Sequence, residues 1–162
     1  MHYEETNTKK KYSPEQAWSK ALKWCAYQER SQQDVRDKLY DYGLHEREVE
    51  ELISRLIQEG FLNEERFAIA FAGGKFRILG WGKVKIKLAL KQKRVSDYCI
   101  KKALSQIDDK AYIEKLKRVV LKRSKEIKEK DTFKRNYKLA QYALSRGFEQ
   151  DIVWSIVGEL VS

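Results

Sequence analysis

The sequence predicts an all-α protein made of three tandem three-helix (helix-turn-helix-like) repeats that form an elongated, curved array. Three observations carry this. The 162 residues include one proline and eight glycines, too few breakers for a loop-rich β sandwich and a composition suited to long helices. Helix start and stop signals recur along the chain. The apolar pattern also repeats: Val35, Leu39, Leu44, Val49 and Ile53 return 51 residues later as Ile86, Leu90, Val95, Ile100 and Leu104. Displaced by 104 from the first copy, Leu139, Gly147, Phe148, Val153 and Val157 match Val35, Gly43, Leu44, Val49 and Ile53. Stacked units of this kind bury a continuous core and present an extended face.

Residues 1–12 are polar, lack an apolar signal region and read as a disordered arm. The first repeat is expected over 13–62. Ser13-Pro14-Glu15-Gln16 places a capping serine before a proline and closes a capping box with glutamine. Trp18, Ala21, Leu22, Cys25 and Ala26 then recur at helical spacing. Ser31 opens the next helix, whose stripe is Val35, Leu39 and Tyr42, and Gly43 stops it. Val49, Leu52, Ile53, Leu56 and Ile57 line the third helix, which ends at Gly60. The second repeat, 63–108, opens with Asn63 before Glu64-Glu65, and Ser96 caps its last helix before Asp97. The third, 109–162, carries its stop at Gly147.

One segment departs from helical spacing. Lys83 to Lys91 alternates charge and hydrophobe, which taken alone is the pattern of a strand. The fifty-residue repeat outweighs it and makes the segment helical. Val84 and Leu88 then fall on a different side from Ile86 and Leu90, and the second side is expected to contact a neighbouring helix.

Two cysteines, Cys25 and Cys99, stand among apolar or aromatic residues and read as buried free thiols. No apolar run approaches the length of a membrane span, and a cytoplasmic location is expected. Net charge is +10, unevenly spread. Residues 1–62 hold 10 Lys+Arg against 12 Asp+Glu, residues 63–110 hold 12 against 5, and residues 111–162 hold 12 against 7. A near-neutral first third joined to a basic remainder suggests an acidic partner, either nucleic acid or a protein coated on nucleic acid.

Catalytic groups do not assemble in the sequence. The only histidines are His2, in the arm, and His45, a turn or capping residue. No His/Cys spacing suits zinc. Gly82-Lys83 is not a phosphate loop, because Arg77 stands at the first loop glycine and Val84 where Ser or Thr would hold magnesium. Asp108-Asp109 is an acidic first turn more simply than a metal site. No catalytic residue, metal or cofactor is expected.

Binding candidates are better defined. Lys75, Arg77, Lys83, Lys85, Lys87, Lys91, Lys93 and Arg94 lie in a stretch without an acidic residue. Solvated faces normally mix signs, so this uncompensated cluster points to a partner. Trp81, between Gly80 and Gly82, is either a core plug or an exposed anchor for partner or base stacking. Arg66 belongs to the candidate surface, or alternatively steadies the acidic helix end around Glu59. The run Lys115 to Lys130 is balanced between a function and a solvated helix, since Lys122–Glu126 and Lys125–Glu129 are spaced for intrahelical pairs.

Glu29-Arg30-Ser31 with Val35, Leu39 and Gly43 resembles the opening of the RecX family's first unit. The stretch Glu59 to Ala68 resembles that family's glycine–apolar turn and Arg-Phe-Ala helix. Leu79-Gly80-Trp81-Gly82 with Ile86 and Leu90 is similar to its middle unit, and Leu139-Ala140, Tyr142, Arg146-Gly147-Phe148, Ile152 and Trp154 to its closing unit. These segments span residues 13–160 in the family's order. The resemblance implies a non-enzymatic modulator of the RecA recombinase in recombinational repair and the SOS response. Such a protein, a monomer in expectation, lies in the groove of the RecA–DNA filament and suppresses ATP hydrolysis, strand exchange and filament growth. Direct DNA contact would be weak and sequence-nonspecific. Arg94 departs from the family, whose middle unit ends this helix with glycine. A left-handed arginine is costly, so a different turn is expected here, with its charge added to the basic surface.

The rival reading is an independent DNA-binding protein. The second helices of the repeated pairs begin Glu46-Arg47-Glu48, Asp97-Tyr98-Cys99 and Gln150-Asp151-Ile152. Acidic starts meet phosphates unfavourably, which argues against sequence-specific readout. A nuclease using Asp108 or Asp109 is a distant third.

Overall fold

The computed structural model describes residues 11–161. Among the described residues the chain forms nine helices and no strand: α1 (Pro14–Tyr27), α2 (Gln32–Asp41), α3 (Glu46–Gln58), α4 (Glu64–Leu79), α5 (Lys83–Gln92), α6 (Asp97–Ser105), α7 (Asp109–Glu126), α8 (Thr132–Ser145) and α9 (Gln150–Val161). Polar side chains at the helix starts take up backbone amides that have no partner within the helix. Ser13 accepts from the Gln16 amide at 3.2 Å, and the Gln16 side chain accepts from the Ser13 amide at 3.0 Å. Ser31, Asn63, Ser96, Asp108 and Asp131 accept in the same way three residues on. His45 occupies the cap position of α3, and the Glu48 carboxylate accepts from its backbone amide at 3.1 Å.

The described residues divide into two compact units, one up to Phe67 and one from Ala68 onward. In the first, Ala17, Ala21 and Cys25 of α1 pack with Val35 and Leu39 of α2. Leu44, then Val49, Leu52, Ile53 and Leu56 of α3, and Leu62 complete the core. Trp18, Leu22 and Tyr42 are only partly covered, while Ala26 and Ile57 are exposed. Residues 1–10 of the expected arm, His2 among them, lie outside the described residues. Tyr12, which the sequence assigns to that arm, instead belongs to the fold. Its amide donates to the Tyr42 carbonyl at 2.9 Å, and its ring meets the Tyr42 ring edge-on at 5.2 Å.

In the second unit α7, α8 and α9 pack mutually and α5 packs on α6. Leu116, Val120, Leu139, Ala143, Val153 and Val157 are buried, as are Ile86, Leu90 and Ile100. Both cysteines are buried and free, and burial raises the Cys25 thiol pKa above its ordinary value.

The turn after the first helix of each repeated pair is built three times alike. Gly43 at φ 86°, Arg94 at φ 58° and Gly147 at φ 96° are all left-handed. Their amides donate to the carbonyls of Tyr40, Lys91 and Leu144, each at 2.9 Å. The expectation of a different turn at Arg94 is therefore corrected: the turn is kept and an arginine adopts the glycine conformation. Two further expectations change. Val84 and Leu88, expected against a neighbouring helix, are instead 46% and 58% exposed. Lys125 and Glu129 form no intrahelical pair, because α7 ends at Glu126; the Glu129 carboxylate instead accepts from Lys138 at 3.2 Å. Glu126 pairs with Arg123 at 3.1 Å.

Candidate partner-binding surface

The position of the basic helix α5 is set by how its first turn is capped. Gly82, at its N-cap, supplies no side-chain oxygen. The free amides are satisfied from the third repeat instead. Gly82 donates to the Arg146 carbonyl and Val84 to the Gly147 carbonyl, both at 2.9 Å, and Lys83 donates to the Tyr112 hydroxyl at 3.0 Å. Backbones approach so closely that a Cβ on Gly82 would lie under 3.0 Å from the Gly147 carbonyl and the Phe148 nitrogen. The Tyr112 hydroxyl in turn donates to Glu149. Burial first, and then that carboxylate, push the Tyr112 phenol far above the ordinary tyrosine range. Its ring lies tilted against those of Phe76, at 5.8 Å, and Phe148, at 5.2 Å. At the carboxyl end of α4, Lys115 donates to the Arg77 carbonyl at 3.3 Å and Arg146 to the Leu79 carbonyl. Carbonyls thus meet an amino end and cations meet a carboxyl end, the polarity that helix dipoles favour. With its leading amides committed in this way, the start of α5 has no cradle for a phosphate.

The candidate cations separate into groups. Lys75 and Lys85 hold their ammonium groups over the Trp81 ring, at 5.1 and 4.6 Å from its centre. Trp81 is half-buried, and both residues serve as packing as well as charge. Lys83 lies over the Tyr112 ring at 4.8 Å and 3.9 Å from Asp109. Lys93 is half-buried, and Arg94 is exposed on its left-handed turn. Lys87 and Lys91 are exposed and line a groove of about 360 Å³ between α5 and α6, with Asp97, Ile100, Lys101 and Leu104. Arg77 belongs elsewhere: with Phe76, Ala111, Glu114, Lys115 and Arg118 it lines a second hollow, of about 230 Å³. Arg66 belongs to the first unit. Its guanidinium pairs with Glu29 and donates to the Gly60 carbonyl at 2.9 Å, joining the ends of α1 and α3.

Lys101 joins these groups without having been singled out from sequence, whereas Lys115 and Arg118 come from a basic run already weighed there. Lys101 follows Lys91 by ten residues across a turn, and Lys115 and Arg118 sit in the run from Lys115 to Lys130. Among the described residues no group of three His, Cys, Asp or Glu side chains is placed to hold a metal ion. Likewise no helix there is long and apolar enough to cross a membrane.

Fold and surface together define a basic protein of three tandem three-helix units, whose middle one carries a run of cations without an acidic residue. Comparison with known proteins makes the class specific. Residues 17–56, 63–104 and 110–157 match the family models of the first, second and third three-helix domains of RecX. The curated regulatory protein RecX of Clostridium acetobutylicum is 33% identical over 149 residues, covering 90% of this chain and 67% of the relative. That of Streptococcus uberis is 29% identical over 140 residues, covering 86% of this chain and 54% of the relative. The chain therefore spans between about half and two thirds of the length of these relatives. The crystal structure of RecX from Lactobacillus salivarius superposes with a TM-score of 0.82 at 28% identity, covering 91% of this chain and 96% of that one. The chain belongs to the RecX family.

Proposed function

We propose that this chain modulates the RecA recombinase without catalysing a reaction, by binding the RecA–DNA filament along its groove and suppressing ATP hydrolysis, strand exchange and filament growth. The observation that carries the reading is the acid-free stretch from Arg66 to Ser96, most of whose cations lie on α5 and the turn that follows it. Lys87, Lys91 and Arg94 are exposed there, and the structure gives them no acidic partner among the described residues. Membership of a family whose relatives are named regulatory proteins supports it. A filament of recombinase on DNA offers the negative groove that such a surface complements, and clamping successive protomers opposes their movement between nucleotide states.

The test is a charge reversal. Lys87→Glu, Lys91→Glu and Arg94→Glu together leave the core untouched and should weaken filament binding by at least about tenfold at moderate salt, with a flatter dependence on salt concentration. Suppression of recombinase ATPase should weaken in parallel. Unchanged potency of the triple variant would remove this face from the interface.

A further inference from the structure

The outer side of α5 carries apolar residues that the fold leaves uncovered. Val84 and Leu88, one helical turn apart, are 46% and 58% exposed, while Ile86 and Leu90 on the inner side are fully buried. The alternation of lysine and hydrophobe in this segment thus makes a helix with two apolar sides, of which the protein's own core uses one. Lys87 and Lys91 border the exposed pair on one side, where they line the groove between α5 and α6 together with Ile100 and Leu104. Asp97 is the single acidic residue lining that groove.

Charge alone fits phosphate or carboxylate equally well. The apolar pair separates them. Against a phosphate backbone, Val84 and Leu88 would face charged oxygens and gain nothing from leaving water, whereas an apolar patch inside a polar rim is the ordinary anatomy of a protein interface. Trp81, the nearest aromatic in sequence, is not open for stacking on bases, since Lys75 and Lys85 lie over its ring. We propose that the outer face of α5 and the α5–α6 groove dock an acidic protein segment bearing large apolar side chains, so that this face grips the protein of the filament and not its nucleic acid. The inference rests on the filament-binding reading and goes beyond it by naming the chemistry of the partner.

The variant Val84→Gln/Leu88→Gln removes both exposed hydrophobes while keeping good helix formers. Binding of the full chain is measured by fluorescence anisotropy to two probes, RecA filaments assembled on poly(dT) and poly(dT) alone, across a salt series. The expected result is a loss of about 10- to 100-fold on filaments, with binding to poly(dT) and the salt slope both unchanged. Thermal stability should stay equal or rise, which a structural role for these residues would not allow. Equal filament affinity in wild type and variant would overturn this inference and leave the filament reading standing. An equal loss on both probes would assign the face to nucleic acid and overturn it as well. A wild-type chain that does not bind filaments at all would instead sink the filament reading itself.

Discussion

Replacing Gly82 by alanine should uncouple the middle repeat from the third. Gly82 has an ordinary extended backbone, φ −78° and ψ 166°, so alanine is permitted there in isolation and any effect must come from packing. The added Cβ would lie under 3.0 Å from the backbone of Gly147 and Phe148. Neither is the mobile end of a side chain, so one helix end must move away. Separation endangers the Gly82–Arg146 and Val84–Gly147 bonds, both 2.9 Å, and the 3.0 Å bond from Lys83 to Tyr112. Buried neutral hydrogen bonds are worth about 1 kcal/mol each, and overpacking a tight site costs roughly 1–3 kcal/mol. The expected loss is thus up to about 4–6 kcal/mol, a large share of the ~5–15 kcal/mol typical of a folded domain. Gly74→Ala is the matched control: it sits inside α4, the added methyl would have nothing within 4 Å, and the chain should gain about 1 kcal/mol from helix propensity. Urea unfolding followed by circular dichroism and tryptophan fluorescence measures both, and hydrogen exchange reads the Lys83 and Val84 amides directly. A loss under about 1 kcal/mol for Gly82→Ala, with those two amides still protected, would refute the capping account of this dock.

Three further expectations follow from the same geometry. Arg94→Gly relieves a left-handed arginine and should stabilise the chain by about 0.5–1 kcal/mol, read as a raised urea midpoint; a lowered midpoint would show that the arginine side chain contributes more than its backbone strain. Tyr112 has its phenol pKa raised by burial and by Glu149, so its contribution to stability is complete below about pH 10, the ordinary tyrosine value, and is lost as pH rises above it. Ultraviolet titration should therefore show Tyr112 ionising only as the second unit opens, and a Tyr112→Phe chain should lose part of its alkaline sensitivity; ionisation of every tyrosine near pH 10 without unfolding would contradict this. Arg66→Gln should destabilise the first unit by roughly 1 kcal/mol through loss of the Glu29 pair and the Gly60 bond. If it instead leaves stability untouched but abolishes filament binding, Arg66 belongs to the partner surface.

Much of the fold was legible because capping residues and apolar spacing are local signals. Ser13, Ser31, Asn63 and Ser96 each cap the helix that the sequence assigns them. The repeat also placed α5 correctly where its alternation alone indicated a strand, since Ile86 and Leu90 had buried counterparts at Val35 and Leu39. What escaped was nonlocal. Gly147 reads as a helix stop and Gly82 as one of the glycines flanking Trp81, and nothing in a glycine tells which backbone it will touch. The basic cluster read as one surface, yet aromatic rings divide it: Trp81 holds Lys75 and Lys85, and Tyr112 holds Lys83. Arg94 shows the opposite case, where the repeat register was a better guide to backbone conformation than residue type, because the turn's hydrogen bonds and the buried Val95 beyond it fix the path.

The central claim is tested most directly by co-sedimentation of the chain with preformed RecA filaments, set against naked single-stranded DNA at the same salt concentration. The account predicts that the chain pellets with filaments at concentrations where it stays in the supernatant with DNA alone. Equal recovery with both, or pelleting with DNA only, would contradict it.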